Sequence, residues 1–161
     1  METVFKEKQK FTQWWLWLFL IAIGIFQVYA LSVQLINGQY FGDKPMSNIG
    51  LIIFTIIPFG IIILFLYIKL ETEIDEKEIR IQFTPLVKKV FRLEDIKSAE
   101  VLKYKFVGYG MRLFTSYGTV YNTKGNMGLA IELKNGEKVL IGTQKADELA
   151  KHLEKFRPLK Q

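Results

Sequence analysis

Residues 127–156 read MGLAIELKNGEKVLIGTQKADELAKHLEKF. The stretch divides into strand, tight turn, strand and helix. Residues 127–133 form an apolar run around Ala130, Ile131 and Leu133. Asn135-Gly136 follows, the strongest short hairpin signal, because both central residues of a type I′ turn need positive φ. Residues 138–141 supply the return strand. Thr143 then offers a hydroxyl N-cap, and Asp147 and Glu148 suit the positive end of a helix dipole. Ala146, Leu149, Ala150, Leu153 and Phe156 recur at helical spacing, so one stripe faces a core. The chain therefore closes as an antiparallel α+β domain capped by its last helix.

Working outward, two segments carry no charge: residues 14–36 and 49–68, of 23 and 20 residues. A helix needs about 20 apolar residues to cross a bilayer, so both read as transmembrane helices. Trp14, Trp15 and Trp17 open the first, where an indole ring can be buried with its N–H still wet. A signal peptide is the rival reading, with Val28-Tyr29-Ala30 as the cleavage site. Apolar residues continue past it through Leu31, Val33, Leu35 and Ile36, which argues against cleavage. The connection 37–48 holds Gly38, Gly42, Pro45 and a single lysine, Lys44. Lys6, Lys8, Lys10, Lys69, Lys77 and Arg80 flank the other side. The positive-inside rule then puts residues 1–13 and 69–161 in the cytoplasm and the 37–48 loop outside.

Gly24, Gln27, Leu31 and Gln34 share one stripe of the first span. Thr55, Pro58 and Gly60 lie in the second. Small and polar residues serve helix packing, and Gln27 and Gln34 also suit contact with a partner helix. With no acidic or basic residue, the spans make a poor route for protons or ions.

Residues 69–161 begin almost without a linker. Leu70, Thr72 and Ile74 alternate with charged residues, as do Ile79, Ile81 and Phe83 across a turn at Asp75–Glu78. This predicts an antiparallel pair with one buried face. Residues 87–93 and 97–106 read as two more strands, with a bulge between Val101 and Leu102 where the apolar residues change faces. Glycines at 108, 110, 118, 125 and 128 make the next segment irregular, with a short strand near 110–113. The expected total is about seven strands and one helix.

The motifs Gly108-Tyr109-Gly110-Met111-Arg112, Tyr121-Asn122 with Gly125 and Gly128, Asn135-Gly136, and Ile141-Gly142-Thr143-Gln144-Lys145 follow in order. Together with the two spans they resemble a group of functionally uncharacterised bacterial membrane proteins with pleckstrin-homology (PH)-like domains. The resemblance covers the layout of the whole chain and the motifs of residues 96–153. It implies two transmembrane helices followed by a PH-like antiparallel β-barrel under a C-terminal helix. Phosphoinositide-binding PH domains resemble one another in a basic first hairpin. Here Asp75-Glu76-Lys77-Glu78 is acidic, so that activity does not carry over.

Without cysteine, thiolate chemistry and Cys-ligated metals are excluded. The lone histidine, His152, lies off the apolar stripe and reads as solvated. Ser32, Ser47, Ser98 and Ser116 stand in no nucleophile motif, and no phosphate loop of the right spacing occurs. Glu94-Asp95 and Asp147-Glu148 suit a turn and a helix start. No catalytic site, metal or cofactor is therefore expected. The net charge of +6 has an obvious use beside an anionic membrane, and no nucleic-acid motif is present.

Two surfaces remain as binding candidates. Residues 80–112 hold eight basic and three acidic residues, net +5. If Lys88, Lys89, Arg92, Lys103 and Lys105 share a face, each adds about 1 kcal/mol of attraction to anionic lipid; otherwise they form a solvated strand face. Tyr109, Arg112, Tyr121, Asn122 and Lys124 combine aromatic, amide and cationic groups, suiting a headgroup or protein partner; otherwise they frame a loop. The chain reads as a non-enzymatic multi-pass protein of the cytoplasmic membrane, displaying a PH-like module to protein partners or anionic lipid. The alternative is an accessory subunit of a larger membrane complex, docked through its helices.

Overall fold

A computed structural model describes residues 4–105 and 107–155. In chain order the elements are β1 (Phe5–Lys10), α1 (Trp14–Leu35), α2 (Asn48–Tyr67), β2 (Lys69–Ile74), β3 (Glu78–Thr84), β4 (Val87–Arg92), a 3-10 turn at Leu93–Asp95, β5 (Ile96–Lys103), β6 (Gly110–Thr115), β7 (Gly118–Asn122), β8 (Met127–Leu133), β9 (Lys138–Gly142) and α3 (Ala146–Lys155). They form two units. Thr12–Tyr67 is one; the residues up to Phe11 and from Ile68 onward are the other.

In the helical unit, α1 and α2 are both long and apolar enough to cross a membrane, and protein covers only 22% and 17% of their most apolar windows. A core helix of a soluble protein would be mostly covered. Leu20, Gly24, Gln27, Ala30 and Gln34 are the buried residues of α1. Leu51, Thr55 and Pro58 are those of α2. Steps of three and four residues keep each set on one helical stripe. Ala30 stands in this stripe where the sequence suggested Leu31, which is only half-buried. Gln34 Nε2 donates to Met46 O at 2.8 Å and to Asn48 Oδ1 at 2.9 Å. Its amide thereby ties the connecting segment and the start of α2 to α1.

The sheet unit holds nine strands among the described residues, in sheets of order β1-β2-β3-β4 and β5-β8-β9-β7-β6. This corrects the expectation of a seven-stranded antiparallel barrel. The sheets do not close into a barrel, and β7 runs parallel to β9. The two additional strands are β1, which lies ahead of the two apolar helices, and β7.

β1 joins because its two faces match two different surroundings. Phe5, Glu7 and Gln9 are buried, whereas Lys6, Lys8 and Lys10 are exposed. Outward, Lys6 sits opposite Glu73 and Lys8 opposite Glu71. Lys6 pairs with Glu73, and Lys8 Nζ lies 3.5 Å from Glu71 Oε1. Opposite charges across antiparallel strands favour this register. Inward, Gln9 Nε2 donates to Gly142 O at 2.7 Å and Thr143 Oγ1 donates to Glu7. Because Lys10 is the register partner of Lys69, the chain leaves and rejoins the sheet unit on neighbouring strands.

The core lies between the sheets. Leu70, Ile79, Ile81 and Phe83 of the first sheet and Tyr121, Leu129, Ile131 and Ile141 of the second are all at most 2% exposed. The Phe83 and Tyr121 rings lie 6.3 Å apart. In α3, Leu149 is buried and Leu153 half-buried; Phe156, the third expected plug, lies outside the described residues. His152 is half-buried rather than solvated, with its ring 6.1 Å from Phe5.

Three local readings are also revised. The bulge in β5 falls between Ile96 and Ser98 rather than at Val101. The β8–β9 turn is not type I′, because only Gly136 has positive φ, at 88°. Gly136 N donates to Leu133 O, and Leu133 N to Glu137 O, both at 2.9 Å. That is a three-residue loop of the kind built from a type I turn and a left-handed glycine. Thr143 sits ahead of α3 rather than capping it directly, its hydroxyl accepting from Lys145 N at 3.1 Å.

Candidate functional site

The glycine-rich set divides between core and surface. Tyr121 faces inward at 1% exposure, and burial raises its phenol above the ordinary tyrosine value. Asn122 is wholly buried. Its Oδ1 accepts from Lys124 N at 3.0 Å, and its Nδ2 donates to Gly125 O at 3.3 Å. It shapes the turn after β7, and a Cβ at Gly142 would lie 2.6 Å from its Oδ1. Both side chains are therefore enclosed by protein. Tyr109 is half-buried, while Arg112 and Lys124 are exposed. The Arg112 guanidinium lies across Gly108, where a Cβ would stand 2.9 Å from Nε.

The five basic residues likewise separate. Lys88 is opposite Gln82 and Lys89 opposite Ile81, and successive residues of a strand point to opposite faces. Lys89 lies on the face that carries buried Ile81 and has its Nζ 3.0 Å from Glu137 Oε1. That hydrogen bond holds its ammonium above the ordinary lysine value. Lys88 and Arg92 share the outer face of β4, with Arg92 Nη1 3.5 Å from Glu94 Oε1. Lys103 ends β5 in the other sheet and Lys105 follows it; both are exposed. Gln27 and Gln34 are buried within the α1–α2 pair.

Sheet pairing explains the second face of the five-stranded sheet. Glu100, Ala130, Leu140, Val120 and Arg112 stand in one row across its strands. Tyr104, Val120 and Leu140 form a small buried cluster there, with Tyr117 packed against it. The Tyr104 and Tyr117 rings meet edge-on at 5.9 Å. Burial pushes the Tyr104 phenol up to about 12.

Among the described residues the most exposed aromatic side chain is on β6, which is an edge strand. Phe114 is 99% exposed with φ of +58°, and Leu113 is 54% exposed. The β6–β7 register shifts between Arg112 and Thr115. This bulge turns Leu113 and Phe114 out of the regular ladder. A non-glycine residue in the left-handed region is uncommon and costs about 1–2 kcal/mol. Sequence reasoning missed both residues, since apolar character alone does not reveal which way a bulged strand faces. Among the described residues no cluster of three His, Asp or Glu side chains could hold a metal ion.

No protein-family model matches the chain, and no curated protein matches it.

Proposed function

We propose that the chain is a two-span membrane protein whose sheet unit serves as a non-enzymatic interaction module at the cytoplasmic face. The pairing of β1 with β2 carries this reading. These strands precede and follow the two apolar helices, and they pair over six residues from Phe5↔Ile74 to Lys10↔Lys69. Such pairing requires both flanks of the helix pair to be on one side, as two crossings provide. The basic flanks, against the single lysine of the 37–48 connection, support the cytoplasm as that side. The resemblance of the motifs to PH-like domains of two-span bacterial proteins agrees with this arrangement.

Phe114 and Leu113 on the β6 edge form the partner contact of this module. Exposed aromatics anchor interfaces, and an edge strand offers unpaired backbone groups to a partner. A second reading, an accessory subunit docked through its helices, is favoured by an apolar groove of about 300 Å³ on the helix pair. Ile21, Gly24, Ile25, Val28, Phe59 and Ile62 line it. The groove replaces the Gln27/Gln34 stripe in that reading, because those amides turn into the pair.

Co-purification of the full-length chain in mild detergent separates the two readings. Loss of partners on Phe114→Asp, with Ile25→Trp unaffected, is expected for the module. Loss on Ile25→Trp alone would favour the subunit and overturn the leading reading.

A further inference from the structure

The end of the four-stranded sheet at which β2 begins carries one more feature. Lys10, Lys69 and Thr84 form a row across β1, β2 and β3. The β3–β4 turn closes at this end, with Leu86 N donating to Phe83 O at 2.7 Å. Pro85 is exposed and Leu86 is 57% exposed at its tip. Exposed Lys10 and Lys88 flank the same end.

An exposed leucine is ordinary on a soluble surface. Its distance along the chain from the spans makes this one different. Only Ile68 separates the last residue of α2 from Lys69. One extended residue covers about 3.3 Å and neighbouring strands lie about 4.8 Å apart. The row that ends in the turn thus starts about 7 Å of extended chain past the last residue of α2, and the headgroup layer is itself about 5–8 Å deep. The opposite turn of the same strands, Asp75-Glu76-Lys77, lies about 20 Å further along β2. It bears two carboxylates, which an anionic surface would repel.

We infer that Pro85-Leu86 dips into the headgroup–acyl boundary of the membrane that the spans cross, with Lys10 and Lys88 against anionic headgroups. This inference rests on the two-span reading. The turn is then a third membrane contact.

The cysteine-free chain makes the test direct. Leu86→Cys and Glu76→Cys are each labelled with an environment-sensitive fluorophore. The full chain is then reconstituted in vesicles of phosphatidylcholine and phosphatidylglycerol containing a headgroup-depth nitroxide lipid. A blue-shifted, quenched label at 86 and a solvent-like label at 76 are expected. Solvent-like emission at both sites, or equal quenching at both, would overturn the contact. Span insertion is read separately, from protection of α1 and α2 against protease. Inserted spans with a solvent-like label at 86 defeat the turn contact alone; unprotected spans defeat both it and the two-span reading.

Discussion

Thr143 Oγ1 donates a hydrogen bond to Glu7 Oε2 at 2.5 Å, across 136 positions of sequence. Gln144 N donates to the other oxygen, Oε1, at 2.8 Å. A buried carboxylate ahead of the first apolar helix thus fastens the segment leading into the last helix. Hydrogen bonds to a charged group contribute about 1.5–3 kcal/mol, and orphaning a buried partner adds to the loss. Glu7→Ala is expected to destabilise the sheet unit by about 3 kcal/mol, read from denaturant unfolding of the detergent-solubilised chain. Glu7→Gln keeps one acceptor and should lose less.

The same strand sets the minimum folding unit. Residues 69–161 alone lack β1 and with it Phe5, Glu7 and Gln9, all buried. That fragment should unfold at a lower temperature and show fast amide exchange along β2. Joining residues 4–11 to residue 68 through a flexible Gly/Ser linker should restore both, as measured by calorimetry and hydrogen exchange. Equal stability of the two fragments would show that β1 is dispensable.

Two glycines with left-handed backbones separate strain from crowding. Gly118 has φ of +77°, and an added Cβ would lie 2.0 Å from Lys138 O. Gly110 has φ of +89° with nothing within 4 Å. Gly110→Ala should cost only the left-handed penalty of about 1–2 kcal/mol. Gly118→Ala adds a backbone clash in the parallel β7–β9 pair and should cost about 3–5 kcal/mol. Thermal unfolding of the two variants side by side checks the order.

Tyr104 and Asp75 give stability opposite dependences at the two extremes of pH. Tyr104 stays neutral in the folded chain up to about 12, while the unfolded chain ionises near the ordinary value of 10.0. Its contribution is complete below pH 10 and is lost as pH rises from there through the folded value. Absorbance titration at alkaline pH should show a tyrosine component ionising near 12, and Tyr104→Phe should remove it. Asp75 Oδ1 accepts from Lys77 N at 2.8 Å and from Glu78 N at 2.9 Å. The Lys77 bond foremost, aided by the Glu78 bond and Arg80, holds its carboxyl below the ordinary value of 3.8 against the effect of burial. This contribution is present above the ordinary value and is lost as pH falls through the folded one. Asp75→Asn should flatten the acid limb of the stability curve.

Much of this fold is legible locally. Ile79, Ile81 and Phe83 alternate with polar residues, and the buried face follows from that period alone. The two apolar helices follow from length and lack of charge. β1 escapes local reading because its inward face carries Glu7 and Gln9, whose partners lie more than 110 residues away. Its outward lysines were nevertheless a signal, since Lys6 and Lys8 complement Glu73 and Glu71. The binding set misled for a related reason. Tyr121 and Asn122 are residue types that suit a ligand, yet Phe83 and Gly142 draw them into the interior. Phe114, an aromatic of the same glycine-rich segment, is not singled out by sequence because its exposure depends on the irregular pairing with β7.

In the proposed arrangement β1 and β2 bracket a two-span hairpin with both flanks in the cytoplasm. Single-cysteine variants at Lys8, Tyr40 and Glu76, probed with a membrane-impermeant maleimide in intact cells, test it most directly. The account expects labelling at 40 from outside, and labelling at 8 and 76 only after permeabilisation. Labelling of 8 and 76 from opposite sides, or of all three from one side, would contradict it.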